Sequence, residues 1–438
     1  PRPIPSSTVY PSGGQPEKEP FMELESATGK LNAYFDGRQP EIMGMIERLV
    51  NMDSFSEDGE DVNKVGETVS GWMREAGFHT EKIAKPAIDP DESWMEKLGN
   101  VFSARTHERE AGPGIVFLGH MDTVFPEGTP IKVRREGDRY WAPGIADNCC
   151  GLRCLLETIR AFEETGVETE GDIWFVGTVG EEGNGDIRGA KALFDGSRKI
   201  DGFMALDMAD VFTVQNGATG AHRWRLAIEG EGGHSYLDYG HVPSAIHAMC
   251  RAGAMIADLD LPEDPKTTYT IGTIKGGTTV NTIAARCEVD VDMRSVDLPT
   301  LEALEAKVLA AFEEAVRIEN AHWPKADEAH QLKLVKTQIG NRPAGMRPAD
   351  CPAVQAALGA LDALGIEARH VKCSSTDANQ PMSLNIPAIC VGTGGETFLE
   401  HSLKEYFDST DMHLGPQLAL LAALAMVGRK GEKGSLAA

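Results

Sequence analysis

His120 and Asp122 stand two residues apart, directly after the apolar run Gly114-Ile-Val-Phe-Leu. Four apolar residues flanked by glycine read as a strand buried on both faces, as in the parallel sheet of an α/β protein. The ground just past such a strand is where open α/β sheets carry their ligand sites. In extended chain, residues two apart point to one side, so His120 and Asp122 can share a target. A second polar segment, Trp141-Ala-Pro-Gly-Ile-Ala-Asp147-Asn148-Cys-Cys-Gly151, runs into a helix that has Leu152, Leu155, Leu156, Ile159 and Phe162 on one face. Taken alone, these are a loop His and an N-capping Asp.

Repetition argues for more. The apolar run from Ile173 ends in Glu181-Glu182, the run Gly202–Leu206 ends in Asp207, and the run Ile386–Val391 leads through a Gly-rich loop to His401. A Glu-Glu pair by itself is a solvated strand end, because Glu is mostly an exposed residue. Several carboxylates gathered with two imidazoles at one sheet edge would repel strongly without positive charge between them. A pair of divalent metal ions is the economical answer.

The elements that must position these residues follow from periodicity. Helices are expected at 40–52, 62–76 and 151–164, with strands at 100–104, 114–118 and 173–179 and a short helix over 189–194. This alternation predicts an α/β catalytic domain whose mostly parallel sheet is covered by helices on both faces. After Asp207 the pattern changes. Residues 222–230 alternate with period two, followed by helix 243–258, strands near 268–275 and 285–293, helix 299–317 and a strand near 332–339. That order is the split-βαβ, ferredoxin-like sandwich. Residues 219–341 are therefore expected to be an inserted α+β domain, with 1–218 and 342–438 forming the catalytic domain. In the latter part the expected elements are helix 352–364, a strand near 369–372, strand 387–391 and helix 415–428. Residues 1–20, rich in Pro, Ser and Gly, read as an extended arm, and 89–97 as a charged loop.

The 438 residues are 41% apolar and 25% charged, ordinary for a globular chain, and carry a formal charge of −25. That acidity disfavours nucleic acid or an anionic membrane as partner, since no basic stripe is present to neutralise phosphate. No apolar run reaches the roughly 18 residues of a membrane helix. No signal peptide is visible in residues 1–30, although a leader could have preceded Pro1. The eight Cys show no zinc-ribbon spacing and read as buried reduced thiols of a cytoplasmic protein. Cys149 and Cys150 are expected to pack rather than ligate.

The ordered motifs His120-Met-Asp122, Gly144-Ile-Ala-Asp147-Asn, Glu181-Glu182-Gly, Asp207, Gly232-Gly-His234-Ser, Asn281, Ser375-Thr-Asp377 and His401-Ser resemble the two-metal exopeptidases and amidohydrolases. That family includes peptidase T, carboxypeptidase G, aminoacylase and acetylornithine deacetylase. The resemblance spans residues 40–430. It implies one metal on His120, Asp207 and a bridging Asp147, and a second on Asp147, Glu182 and His401. Zinc is the first expectation for imidazole with carboxylate, with manganese or cobalt as alternatives. The resemblance also implies that the Asp122 carboxylate accepts the second ring N–H of His120 and that Asp147–Asn148 is a cis peptide. Glu181, expected to point away from Glu182, would be the base for a metal-activated water.

Further roles come from the same resemblance. His234 would stabilise the oxyanion, from the partner subunit of a homodimer or larger homo-oligomer joined through the inserted domain or after closure of that domain as a lid. Asn281 would contact substrate and Arg342 would bind a substrate carboxylate. Arg294 could do the same, or form a salt bridge within its sheet. Asn148, Cys149 and the stretch Gly392–Glu400 depart from better-known relatives and could line the substrate pocket. The expected activity is hydrolysis of a C–N bond in a small peptide or N-acyl amino acid. Hydrolytic deamination of a compound such as an aromatic amine is the alternative. A non-catalytic metal-binding interaction protein is a third reading, which the filled Glu181 and ligand positions disfavour.

Overall fold

The structure is a computed structural model that describes residues 38–83, 98–106, 113–323, 330–368 and 370–437. The expected arm at 1–20 and loop at 89–97 lie outside these residues. The chain divides into two compact units, one of residues 1–218 with 346–438 and the other Thr219–Gly345. No helix among the described residues is long and apolar enough to cross a membrane.

Among the described residues, the first unit begins with helices α1 (Gln39–Val50) and α2 (Gly59–Glu75), the latter capped by Asp58, whose carboxylate accepts the amides of Glu60 and Asp61. Strands β1 (His79–Ile83), β2 (Val101–Arg105), β3 (Gly114–His120), β4 (Arg134–Glu136) and β5 (Arg139–Trp141) follow, then α3 (Gly151–Thr165), β6 (Asp172–Thr178), α4 (Arg188–Leu193), β7 (Gly202–Leu206) and β8 (Thr213–Ala218). Helix α2 crosses β2 at Gly66, where a Cβ would come 2.2 Å from the Phe102 ring, so no side chain is tolerated there. Helix α3 carries the expected apolar face, but its other faces are covered too. Arg153 and Glu157 are buried within it and paired at 2.7 Å, and Arg153 also donates to the carbonyl of Met412 at 2.8 Å.

The second unit is β9 (Gly220–Glu229), β10 (Gly233–His234), α5 (Ala245–Ala257), β11 (Thr267–Gly276), β12 (Thr282–Ile283), β13 (Arg286–Ser295), α6 (Leu298–His322) and β14 (Lys333–Arg342). Its sheet is antiparallel, in the order β11-β13-β9-β14. With α5 and α6 between strands this is the ferredoxin-like βαββαβ arrangement. Alternation along β13 is strict, with Cys287, Val289, Val291 and Met293 buried in a separate core with Leu226, Met249, Leu304 and Phe312.

The chain re-enters the first unit through β15 (Gly345–Met346), followed by α7 (Pro352–Ala363), β16 (His370–Ser374), α8 (Asn379–Ser383), β17 (Ala388–Val391), β18 (Glu396–Phe398), β19 (Tyr406–Asp408) and α9 (Leu414–Val427). The main sheet runs β1-β2-β6-β3-β7-β17-β8, with β16 beside β8. Its centre, β6-β3-β7-β17, is parallel. A second, small sheet has the order β18-β19-β5-β4. Helix α9 is buried along nearly its whole length, as its Leu- and Ala-rich sequence allows.

Candidate metal centre

Parallel register delivers the candidate ligands to one edge. His120, the last residue of β3, pairs with Thr178 at the end of β6, and Leu118 pairs with Ala205 near the end of β7. Glu181-Glu182 and Asp207 therefore emerge beside His120. On the other side, Val391 of β17 pairs with Leu206, and the loop beyond carries His401.

Asp147 lies between two imidazoles. Its Oδ1 is 3.0 Å from His120 Nε2, and its Oδ2 is 3.1 Å from His401 Nε2. Asp207 Oδ1 is 3.5 Å from His120 Nε2, and Glu182 Oε1 is 3.0 Å from His401 Nε2. His120, Asp147 and Asp207 form one donor group and Asp147, Glu182 and His401 another, with the donor atoms of each within 4.8 Å of one another.

These residues fit metal ions. Donors bound tetrahedrally at about 2.0–2.2 Å stand about 3.4 Å apart, close to the spacings here. His120 Nε2 and Asp147 Oδ1 are buried and make no hydrogen bond, although they face each other. The group also attracts positive charge. Burial opposes protonation of His120, but Asp147 and Asp207 outweigh it and raise its pKa well above the usual imidazole range. Hydrogen bonds to Asp147 and Glu182 raise His401 to about 11. Burial works against ionised Asp147, yet His120 and His401 hold it well below the usual carboxylate range. Divalent cations would supply this charge and leave both imidazoles neutral, as ligation requires.

The surroundings correct two expectations. The Asp122 carboxylate does not take the second ring nitrogen of His120: its Oδ1 is 3.8 Å away, and the backbone carbonyl of Asp122 occupies that place, 3.0 Å from Nδ1. The carboxylate is turned to other donors. It accepts the amides of Glu181 and Glu182 at 3.3 and 3.1 Å and the hydroxyl of Ser56 at 2.6 Å. Nor do Glu181 and Glu182 diverge. Gly180, at φ +72°, turns the chain out of the strand, so two-residue alternation no longer holds. Both carboxylates have an oxygen within 4.8 Å of a His120 ring nitrogen and of each other. Burial is the main cause that raises Glu182 to about 7.

The loop bearing Asp147 is held by a residue that sequence reasoning missed. Glu405, fully buried, accepts the amides of Ala146 at 2.7 Å and Asp147 at 3.1 Å through Oε1, and of Gly144 at 3.1 Å through Oε2. Burial raises it to about 7 against the pull of those amides. Within Lys404-Glu405-Tyr406 nothing marks it as different from a surface Glu. Ser56 carries no signal either. The peptide Asp147–Asn148 is cis. Asn148 is buried and donates to the carbonyl of Leu206 at 3.0 Å and accepts the amide of Gly151 at 2.9 Å, tying the start of α3 to the end of β7. Burial pushes the thiols of Cys149 and Cys150 upward, so both are neutral packing groups.

In the second unit, β10 pairs His234 with Thr282 of β12, and the carbonyl of Asn281 accepts the amide of Ser235 at 3.1 Å. His234 and Asn281 are thus neighbours, and both are exposed. The ring Nδ1 of His234 accepts the amides of Tyr236 and Leu237 at 3.2 and 3.3 Å, which leaves Nε2 as the protonated, donating nitrogen. Arg342 is buried at the end of β14, opposite Ala221. Arg294 is ion-paired with Asp292 at 2.7 Å, the salt bridge within its sheet.

Comparison with known proteins agrees with this geometry. Residues 116–426 match peptidase family M20/M25/M40. The chain is 23% identical over 315 residues to carboxypeptidase G2 of Pseudomonas sp., covering 70% of this chain and 69% of that one. It is 24% identical over 309 residues to acetylornithine deacetylase of Erwinia tasmaniensis, covering 65% and 74%. A tripeptidase from Staphylococcus aureus superposes with a TM-score of 0.69 at 22% identity, covering 87% of this chain and 96% of that one. The chain belongs to peptidase family M20/M25/M40, and is a metal-dependent hydrolase of carbon–nitrogen bonds.

Proposed function

We propose that this chain cleaves the amide bond of a small peptide or N-acyl amino acid at a two-metal centre, with Glu181 as general base. The observation that carries this reading is Asp147, which turns one carboxylate oxygen to His120 and the other to His401 at nearly equal distances. A carboxylate so placed can bridge two ions.

In the reading proposed, His120 and Asp207 would hold one ion, Glu182 and His401 the other, and Asp147 both. The donor set of imidazole and carboxylate suits zinc first, then manganese or cobalt. When bound, the ions supply positive charge that acidifies a water and polarises the substrate carbonyl. Glu181, whose backbone N–H donates a hydrogen bond to the Asp122 carboxylate, takes the proton of the attacking water and delivers it to the leaving nitrogen. His234 donates from Nε2 to the carbonyl oxygen as that oxygen becomes anionic, with Asn281 as its neighbour on the substrate. Arg342 is kept as the carboxylate partner only by resemblance, and Arg294 is spent on its salt bridge. We further propose a homodimer joined through the ferredoxin-like unit, and a cytoplasmic setting in which the eight free thiols stay reduced.

The test is turnover by the purified chain reconstituted with zinc, manganese or cobalt, against dipeptides, N-acyl amino acids and aromatic amines. Hydrolysis of the first or second class is expected. Turnover of aromatic amines alone would replace amide hydrolysis by deamination.

A further inference from the structure

We propose that a groove of about 670 Å³ in the first unit, walled by Trp141 and Tyr406 and edged by Lys132 and Lys404, binds a carboxylate carried on an apolar stem. The inference rests on the amide-hydrolase reading in one respect: the ligand is taken to be a distal part of the substrate.

The small sheet builds the wall. Tyr406 of β19 pairs with Trp141 of β5, and their rings lie 5.5 Å apart. On the far side Phe398 stacks on Tyr406 at 4.7 Å with an interplanar angle of 17°. The guanidinium of Arg134 sits 3.9 Å from the centre of the Trp141 ring and is ion-paired with Glu136, so it braces the wall. Leu399 and Leu403 contribute apolar surface and are 57% and 62% exposed.

Charge at the edges gives the groove its preference. Among the described residues, neither Lys132 nor Lys404 takes part in an ion pair, on a chain whose formal charge is −25. Two unpaired ammonium groups beside aromatic and aliphatic walls suit a ligand with an anionic head and an apolar body. The groove is continuous in sequence with the metal centre. Leu399 and Leu403 flank His401 two residues to each side, and Ala142 and Pro143 lead directly into the Gly144–Asp147 loop that Glu405 grips. A substrate with a distal carboxylate is the ligand such an arrangement recognises.

The experiment uses benzoate as probe and benzyl alcohol as its neutral control, on the metal-loaded chain of 438 residues. Emission from Trp141, taken as the difference between wild type and Trp141→Phe, should change saturably with benzoate and not with benzyl alcohol. Benzoate should also raise KM without lowering kcat, and the double variant Lys132→Gln/Lys404→Gln should bind it about tenfold more weakly by both readouts. Equal responses to the two probes, undiminished benzoate binding in the double variant, or benzoate binding at Trp141 with no change in KM would each overturn the proposal. If benzoate titrates Trp141 as expected while no amide is turned over, the amide-hydrolase reading falls and the groove stands as a carboxylate site. If amides are turned over and Trp141 does not respond, the groove assignment falls alone.

Discussion

The carboxylate of Glu405 accepts the backbone amide of Asp147 at 3.1 Å, so the proposed bridging ligand is positioned by a residue 258 places further along the chain. The same carboxylate takes the amides of Gly144 and Ala146. Glu405→Gln would set an amide N–H against backbone N–H donors in a buried place. The expected cost is about 1–3 kcal/mol of stability, with weaker metal retention. Urea unfolding and elemental analysis read both, and wild-type values in both would remove Glu405 from its positioning role.

Asp147→Ala should abolish activity and deplete both ions, because one side chain faces both donor groups. Full metal content in that variant, by elemental analysis, would sink the bridging assignment.

Metal binding should expel protons. In the metal-free protein His401 is raised to about 11 and His120 is raised as well, so at neutral pH both rings carry protons that a metal must displace. Affinity should therefore strengthen as pH rises. Calorimetric titration in buffers of different ionisation heat should report about two to three protons released at neutral pH, one from each imidazole and a fraction of one from Glu182, which burial raises to about 7. Release of none would contradict the protonation described for the site.

Glu181→Gln should keep its metal and fold and lower kcat by about 100-fold or more, the scale of a lost general base. Both Glu181 and Glu182 approach His120, so the comparison with Glu182→Gln is informative. Metal loss in Glu181→Gln with retention in Glu182→Gln would exchange the two roles.

Mixing inactive His234→Ala with inactive Glu181→Gln under subunit exchange should restore activity, if His234 of one chain completes the site of another. One mixed site then holds both residues intact. Absence of recovery, with exchange verified by mass, would confine His234 to its own chain or remove it from the reaction.

Much of the architecture is local in origin and therefore legible. Strands β3, β6 and β7 are buried on both faces, so Ile115–Leu118, Ile173–Val176 and Phe203–Leu206 stand out as apolar runs. Strand β13 is one-sided and alternates. The residues that chemistry needs sit at the ends of these runs, which is why His120, Glu181, Glu182 and Asp207 could be singled out. Strand β8 could not be read: Thr213-Val-Gln-Asn-Gly-Ala is wholly buried, but its core residues Val214 and Ala218 are separated by polar residues and glycine, so no apolar run marks it. The strands of the small sheet are three residues long and rich in charge, too short for any period to register.

The amino-acid sequence by itself determined the candidate ligand types, their order and the strand ends that carry them, since each depends on residues only a few places apart. Tertiary structure alone decided which atoms meet. The backbone carbonyl of Asp122 displaces its carboxylate at His120, the left-handed turn at Gly180 brings Glu181 and Glu182 to one place, and Arg153 and Glu405 are buried charges rather than surface ones. The physical reason is that a buried charge or orphan amide is satisfied by whatever partner the fold brings to it. For Glu405 the amides lie about 260 residues away, and for Arg153 the carbonyl of Met412 does as well, although its ion-pair partner Glu157 is only four residues along the helix.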